Sequence, residues 1–201
     1  NTWSGEGANT NWNTVGNWSL NAVPTAANDV VIPTGFTVNL NVATAVKSIV
    51  VQGSSTLNIN GNLSFTNASS FAAKVTVNWA NSSLIGGGTL TNNGTINVTT
   101  AGSKYISGII DFKSDAIITY SGSDAHNLNN SGLIKKTAGD GNSQIQAFLT
   151  NTGTISVESG TLTLNSKLKT FNGGIYNVTA GKELVLSAII NVSNTLTGVL
   201  N

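Results

Sequence analysis

Residues 149–165 read LTNTGTISVESGTLTLN, and the spacing of Leu149, Asn151, Gly153 and Ile155 recurs elsewhere in the chain. The same word, an apolar residue followed at two-residue steps by Asn, Gly and Ile, stands at Leu90, Asn92, Gly94, Ile96 and at Leu128, Asn130, Gly132, Ile134. A looser copy begins at Phe171, where Gly174, Tyr176, Val178 and Gly181 take the places of Gly153, Ile155, Val157 and Gly160. Neighbouring copies lie roughly twenty residues apart, a period that belongs to stacked repeats.

Upstream of these words the apolar residues alternate. Val30 and Ile32, Phe36 to Val42, Ile49 and Val51, Leu57 and Ile59, and Leu63 and Phe65 each recur at steps of two, the period of a strand with one buried face. Clusters such as Pro33-Thr34-Gly35 and Gln52-Gly53-Ser54-Ser55 separate them as turns. Further strands are expected at 75–79, 90–98 and 106–120, with Gly86-Gly87-Gly88 turning a corner. Only 67–74, NASSFAAK, suggests a single helical turn.

Short strands at a fixed repeat imply an all-β fold in which each repeat is one coil of a parallel β-helix (β-solenoid), right-handed by the general rule for parallel crossovers. About 170 residues at roughly 21 each give about eight coils and a rod of about 40 Å. Recurrence of one specific word argues against an antiparallel β-sandwich. Stacking would superpose Asn92, Asn130 and Asn151 as an amide ladder. The glycine two residues on would supply a backbone angle other residues resist. Lys136 breaks the pattern, because it falls where Val157 and Val178 point inward, and a bulge near Lys135-Lys136 is expected. Residues 29–201 form one domain. Residues 1–28 hold Trp3, Trp12 and Trp18 and read as a cap over the first coil, whereas 195–201 read as the start of another coil with no cap.

Composition narrows the function. Charged residues make up 8% of the 201, with a net charge of +1, so no basic stripe is available for nucleic acid or an anionic membrane. The nine cations are all lysine, which removes the bidentate fork of arginine from phosphate or sugar-carboxylate sites. Cysteine is absent, excluding disulfides and thiolate metal sites, and no apolar run reaches the ~18 residues of a membrane span. A chain beginning at Asn1 suits a processed, extracellular protein.

The words LTNNGTINV, LNNSGLI and LTNTGTISVESGTLTL, with the opening TWSGEG, NWS and NDVVIP, resemble the repeat regions of large bacterial surface and secreted parallel β-helix proteins, adhesin-like in kind. The resemblance covers nearly the whole chain. It implies an extracellular, cell-surface location and a non-catalytic scaffold, and it carries no binding residues across.

Candidate chemistry is sparse. Trp3, Trp12 and Trp18 are the candidate binding residues, since exposed indoles stack on sugars, with capping as the preferred reading. Asp111, Lys113 and Asp115 would share the outward face of one strand, as a polysaccharide-cleaving groove requires, or serve as a solvated charge stripe, the preferred reading. His126, beside Asp124, is the only histidine and cannot build a metal site alone. Glu158 and Glu183 occupy similar turns. Asn17, Asn62, Asn67, Asn81, Asn93 and Asn97 head Asn-x-Ser/Thr triplets, as expected from composition. The pairs Thr89/Thr91, Thr152/Thr154 and Thr161/Thr163 suggest an ice-binding array but hold no common phase. No catalytic residue, metal or cofactor is expected. The expected partners are further copies stacked end to end, neighbouring domains of a longer chain, or a cell-surface glycan.

Overall fold

The computed structural model describes residues 1–80, 84–100, 102–120, 126–165 and 174–187. Its strands are short because every few residues a corner turns the chain onto the next face. The first sheet stacks Asp29–Ile32, Ser48–Val51, Ser69–Phe71, Thr89–Asn92, Ile109–Phe112, Leu133–Lys136, Thr154–Val157 and Ile175–Val178. The second stacks Thr37–Leu40, Thr56–Ile59, Thr76–Trp79, Thr95–Val98, Ile117–Tyr120, Asn142–Ile145, Thr161–Leu164 and Glu183–Leu186. Thr44–Val46, Leu63–Phe65, Leu84–Gly87, Gly102–Ile106, His126–Asn130 and Phe148–Asn151 form the third. All strand pairs within these sheets are parallel, and the 22 strands at three per turn make about seven coils, close to the eight expected.

Alternation along each strand sends every second side chain into the triangular interior, and the register superposes these residues from coil to coil. One column of the first sheet runs Ile32, Val51, Phe71, Asn92, Phe112, Lys136, Val157, Val178. In the second sheet Leu40, Ile59, Trp79 and Val98 superpose, all fully buried. Burying such side chains contributes roughly 1.5–3 kcal/mol each, which is what holds a chain of three- to five-residue strands together.

Residues 67–74 contain no helical turn. Ser69–Phe71 is a strand of the first sheet, and the chain then turns through Lys74 at φ 69°. Ser69 points inward without cost because its hydroxyl accepts from Ile49 N–H at 3.0 Å and donates to Asn67 O at 3.3 Å. The stretch 106–120 is likewise broken, its strands ending at Ile106 and Phe112 before Ile117 begins the next.

The repeated word has a different physical basis from the one expected. Neither Gly94, Gly132 nor Gly153 has a positive φ. What excludes a side chain at Gly132 and Gly153 is the neighbouring coil: a Cβ would lie 2.1 Å from the carbonyl oxygen of Gly108 or Gly132 respectively. The asparagine makes the corner, since Asn92 Oδ1 accepts from Gly94 N–H at 3.3 Å and Asn130 Oδ1 from Gly132 N–H at 3.2 Å. The word therefore encodes a type of corner without fixing its place. Asn130 and Asn151 leave the third sheet and superpose, Asn130 Nδ2 donating to Asn151 Oδ1 at 2.7 Å, whereas Asn92 leaves the first sheet and lies between Phe71 and Phe112.

Residues 1–28 close the first coil. Trp3 N–H donates to Val31 O at 2.8 Å and Trp12 N–H to Asn39 O at 2.9 Å, so the segment pairs with the leading strand of both the first and second sheets. The expected uncapped coil at 195–201 lies outside the described residues.

Candidate functional site

The three cap tryptophans lie inside the molecule. Trp3, Trp12 and Trp18 are at most 1% exposed. Trp18 meets Trp3 edge-on at 5.0 Å and 89°, and Trp12 at 4.7 Å and 69°. Its indole N–H donates to Trp12 O at 2.7 Å. With all three rings turned onto one another and onto the first coil, none presents a face on which a sugar could stack. Asn17 is also buried, its amide holding Gly7 N–H, Asn9 O and Asn11 O, so the first glycosylation triplet is closed to a transferase.

The carboxylates expected to form a pair each have a different lysine partner. Asp111 sits on the strand Ile109–Phe112 and is only 3% exposed, accepting from Thr137 Oγ1 at 2.7 Å with Lys135 Nζ at 3.6 Å. Asp115 lies in the corner beyond, and Lys113 between them is exposed. The two carboxylates are engaged by separate lysines of the next coil, Asp111 by Lys135 and Asp115 by Lys136 at 3.2 Å. Glu183 is level with Thr161, while Glu158 follows Val157 at the opposite end of that corner. Asp124 and the side chain of His126 lie outside what the structure describes. Among the described residues no three His, Cys, Asp or Glu side chains gather as a metal site, and no helix is long and apolar enough to cross a membrane.

Lys136 does not create a bulge. It keeps register with Phe112 before it and Val157 after it, and its side chain runs through the core, completely buried. Its ammonium reaches the corner, donating to Asp115 Oδ1 at 3.2 Å, Ser143 Oγ at 3.3 Å, Ala138 O at 3.0 Å and Ser114 O at 3.4 Å. Gly141 makes room for the carboxylate, since a Cβ there would stand 2.2 Å from Asp115 Oδ2. A second inward lysine, Lys104, superposes on Leu128 and Leu149 and donates to Thr100 O at 3.1 Å. Burial lowers its pKa from the ordinary lysine value.

The most ordered exposed feature is one the sequence reading missed. On the outer face of the second sheet Thr37, Thr56, Thr76 and Thr95 superpose, and beside them Asn39, Asn58, Asn78 and Asn97. Each amide donates to the one before: Asn58 to Asn39 at 2.7 Å, Asn78 to Asn58 at 2.8 Å and Asn97 to Asn78 at 3.2 Å. Asn39 donates in turn to Thr10 Oγ1 of the cap at 2.7 Å. At the next outward position Asn60 donates to Asn41 at 2.8 Å and Asn41 to Asn11 at 3.2 Å. The signal lay in TVNL, TLNI, TVNW and TINV, four Thr-x-Asn words at steps of 19, 20 and 19 residues.

Parallel coils stacked in register, with a tryptophan cluster over the first, define a β-solenoid repeat protein. No family model, curated protein or solved structure matches the chain.

Proposed function

We propose that the chain is an extracellular, non-enzymatic scaffold, either a repeat module of a bacterial surface protein with an adhesive role or a subunit that stacks end to end. The observation that supports this most is the superposition of parallel strands, coil upon coil, in three sheets. Such a body transmits length and stiffness and offers long flat faces. The composition agrees: its surface is solvated by neutral Asn, Thr and Ser, with nine cations and eight acidic residues in the whole chain. The carboxylates of the rear corners act as counterions to lysines.

Multi-angle light scattering and negative-stain microscopy on the same sample of the full chain test the reading. Rods growing along one axis support the stacking subunit. A strict monomer at all concentrations rejects stacking and directs attention to the module in a longer protein. Turnover of an oligosaccharide by the purified chain overturns the scaffold reading in either form.

A further inference from the structure

We propose that the outer face of the second sheet binds ice. Across four consecutive rungs, 37–41, 56–60, 76–80 and 95–99, this face carries Thr, then Asn, then Asn, Asn, Ala or Thr at the third outward position. No charged residue and no aromatic ring points outward there. The nodes repeat at about 4.8 Å from rung to rung and about 6.7 Å along each strand, so the array is periodic in two directions.

The nodes are fixed before any ligand arrives. Threonine is β-branched and restricted at χ1. Each ladder asparagine is held by its neighbours, yet after giving one N–H and accepting one bond it keeps a second N–H and a second lone pair for solvent. The hydroxyls of Thr37, Thr56, Thr76 and Thr95 bond to no described protein group, so each of these four threonines both donates to and accepts from water.

A soluble ligand needs one set of contacts, and a grid repeating them adds nothing to its recognition. A crystal surface presents the same contact at every node. Mineral surfaces call for charged nodes, and sugar rings for aromatic ones. Ice is neutral and built wholly of groups that donate and accept, which is the chemistry of this face. The threonine pairs first suspected lie on different sheets; the array in phase is Thr-x-Asn. This inference stands independently of whether the chain stacks or adheres.

The test is partition of the full chain into slowly growing ice, relative to a bystander protein, together with inhibition of ice recrystallisation. The wild type is expected to enter ice and suppress recrystallisation. Thr56→Tyr with Thr76→Tyr breaks the flat face without touching the core, and partition should fall to the bystander level. Ser70→Tyr with Thr91→Tyr, outward on the first sheet, should behave as wild type. Thr76→Lys, which adds a charge to the grid, gives a second route to the same loss if the double variant does not fold. Exclusion of the wild type from ice overturns the proposal. So does equal loss in variants of both faces, or wild-type partition in folded Thr76→Lys. Sedimentation with crystalline cellulose by a chain that stays out of ice would also overturn it, and would make the face a polysaccharide platform.

Discussion

The front and rear of the solenoid solve the same stacking problem differently. From Val38 to Ile96 the second sheet advances by 19 or 20 residues per coil, its interior is apolar, and its polar order is outside, in the Thr-Asn grid. From Ile96 onward the step ranges from 19 to 27 residues, and charged groups move inside: Lys104 and Lys136 are buried beside Asn130, Ser143 and Asn151, whereas the front buries only neutral polar groups such as Ser55, Ser69 and Asn92. Uniform coils let identical side chains meet on the surface and build a face. Coils of unequal length have larger corners, and buried donors hold those corners by bonding their backbone carbonyls.

Removing the front closure should have the largest effect. Trp18→Ala deletes two edge-on aromatic contacts and one buried hydrogen bond, and should cost about 3–5 kcal/mol, read from urea unfolding. If the front coils lose amide protection before the rear ones, the two regions unfold separately; simultaneous loss would make them one cooperative unit.

At the rear, Asp115→Ala leaves the Lys136 ammonium buried with neutral acceptors only. A loss of about 2–3 kcal/mol is expected, below the full penalty of an orphaned ion. Lys136→Met, which restores an apolar column and leaves Asp115 half exposed, should change stability by less than about 1 kcal/mol. Equal losses in both variants would show that the ion pair itself, not the avoidance of a lone charge, sets the energetics.

On the outer grid, Asn58→Ala breaks two rungs of the amide ladder at partly exposed sites and should cost about 1 kcal/mol.

The smallest effect is a pH dependence. Because burial lowers the pKa of Lys104, the unfolded chain holds that proton more tightly, and stability rises with pH between the lowered folded value and the unfolded value of about 10.4. Burial raises the pKa of Tyr176, so above about pH 10 stability falls as the unfolded tyrosine ionises first. Urea midpoints from pH 8 to 10 should rise for the wild type and stay flat for Lys104→Met.

The contrast also explains what could be read from the sequence. Apolar alternation from Val30 to Phe65 located nearly every front strand, because a half-buried strand must alternate. The words at Leu128 and Leu149 superposed as expected. The word at Leu90 did not, since Asn-x-Gly specifies a local corner that any sheet can use. Asn39, Asn58, Asn78 and Asn97 add nothing to the apolar alternation, since each lies outward between two inward residues, and only the stacking of coils makes them a ladder. Lys136 reads as a break in register because an inward lysine is tolerable only when acceptors meet its ammonium, and those come from the corner of its own coil, with Ser143, and from Asp115 of the coil before.

Repeats that resemble one another invite slippage, in which a coil pairs one level too early and every apolar column still looks satisfied. Lys136 prevents this at the rear. A chain shifted by one coil would part its ammonium from Asp115 and leave the buried charge with only the neutral acceptors of its own coil, Ala138 O and Ser143 Oγ, an error of about 2–3 kcal/mol. The lysine thus gives its coil an address, so that a stack of near-identical parts can be assembled in only one order.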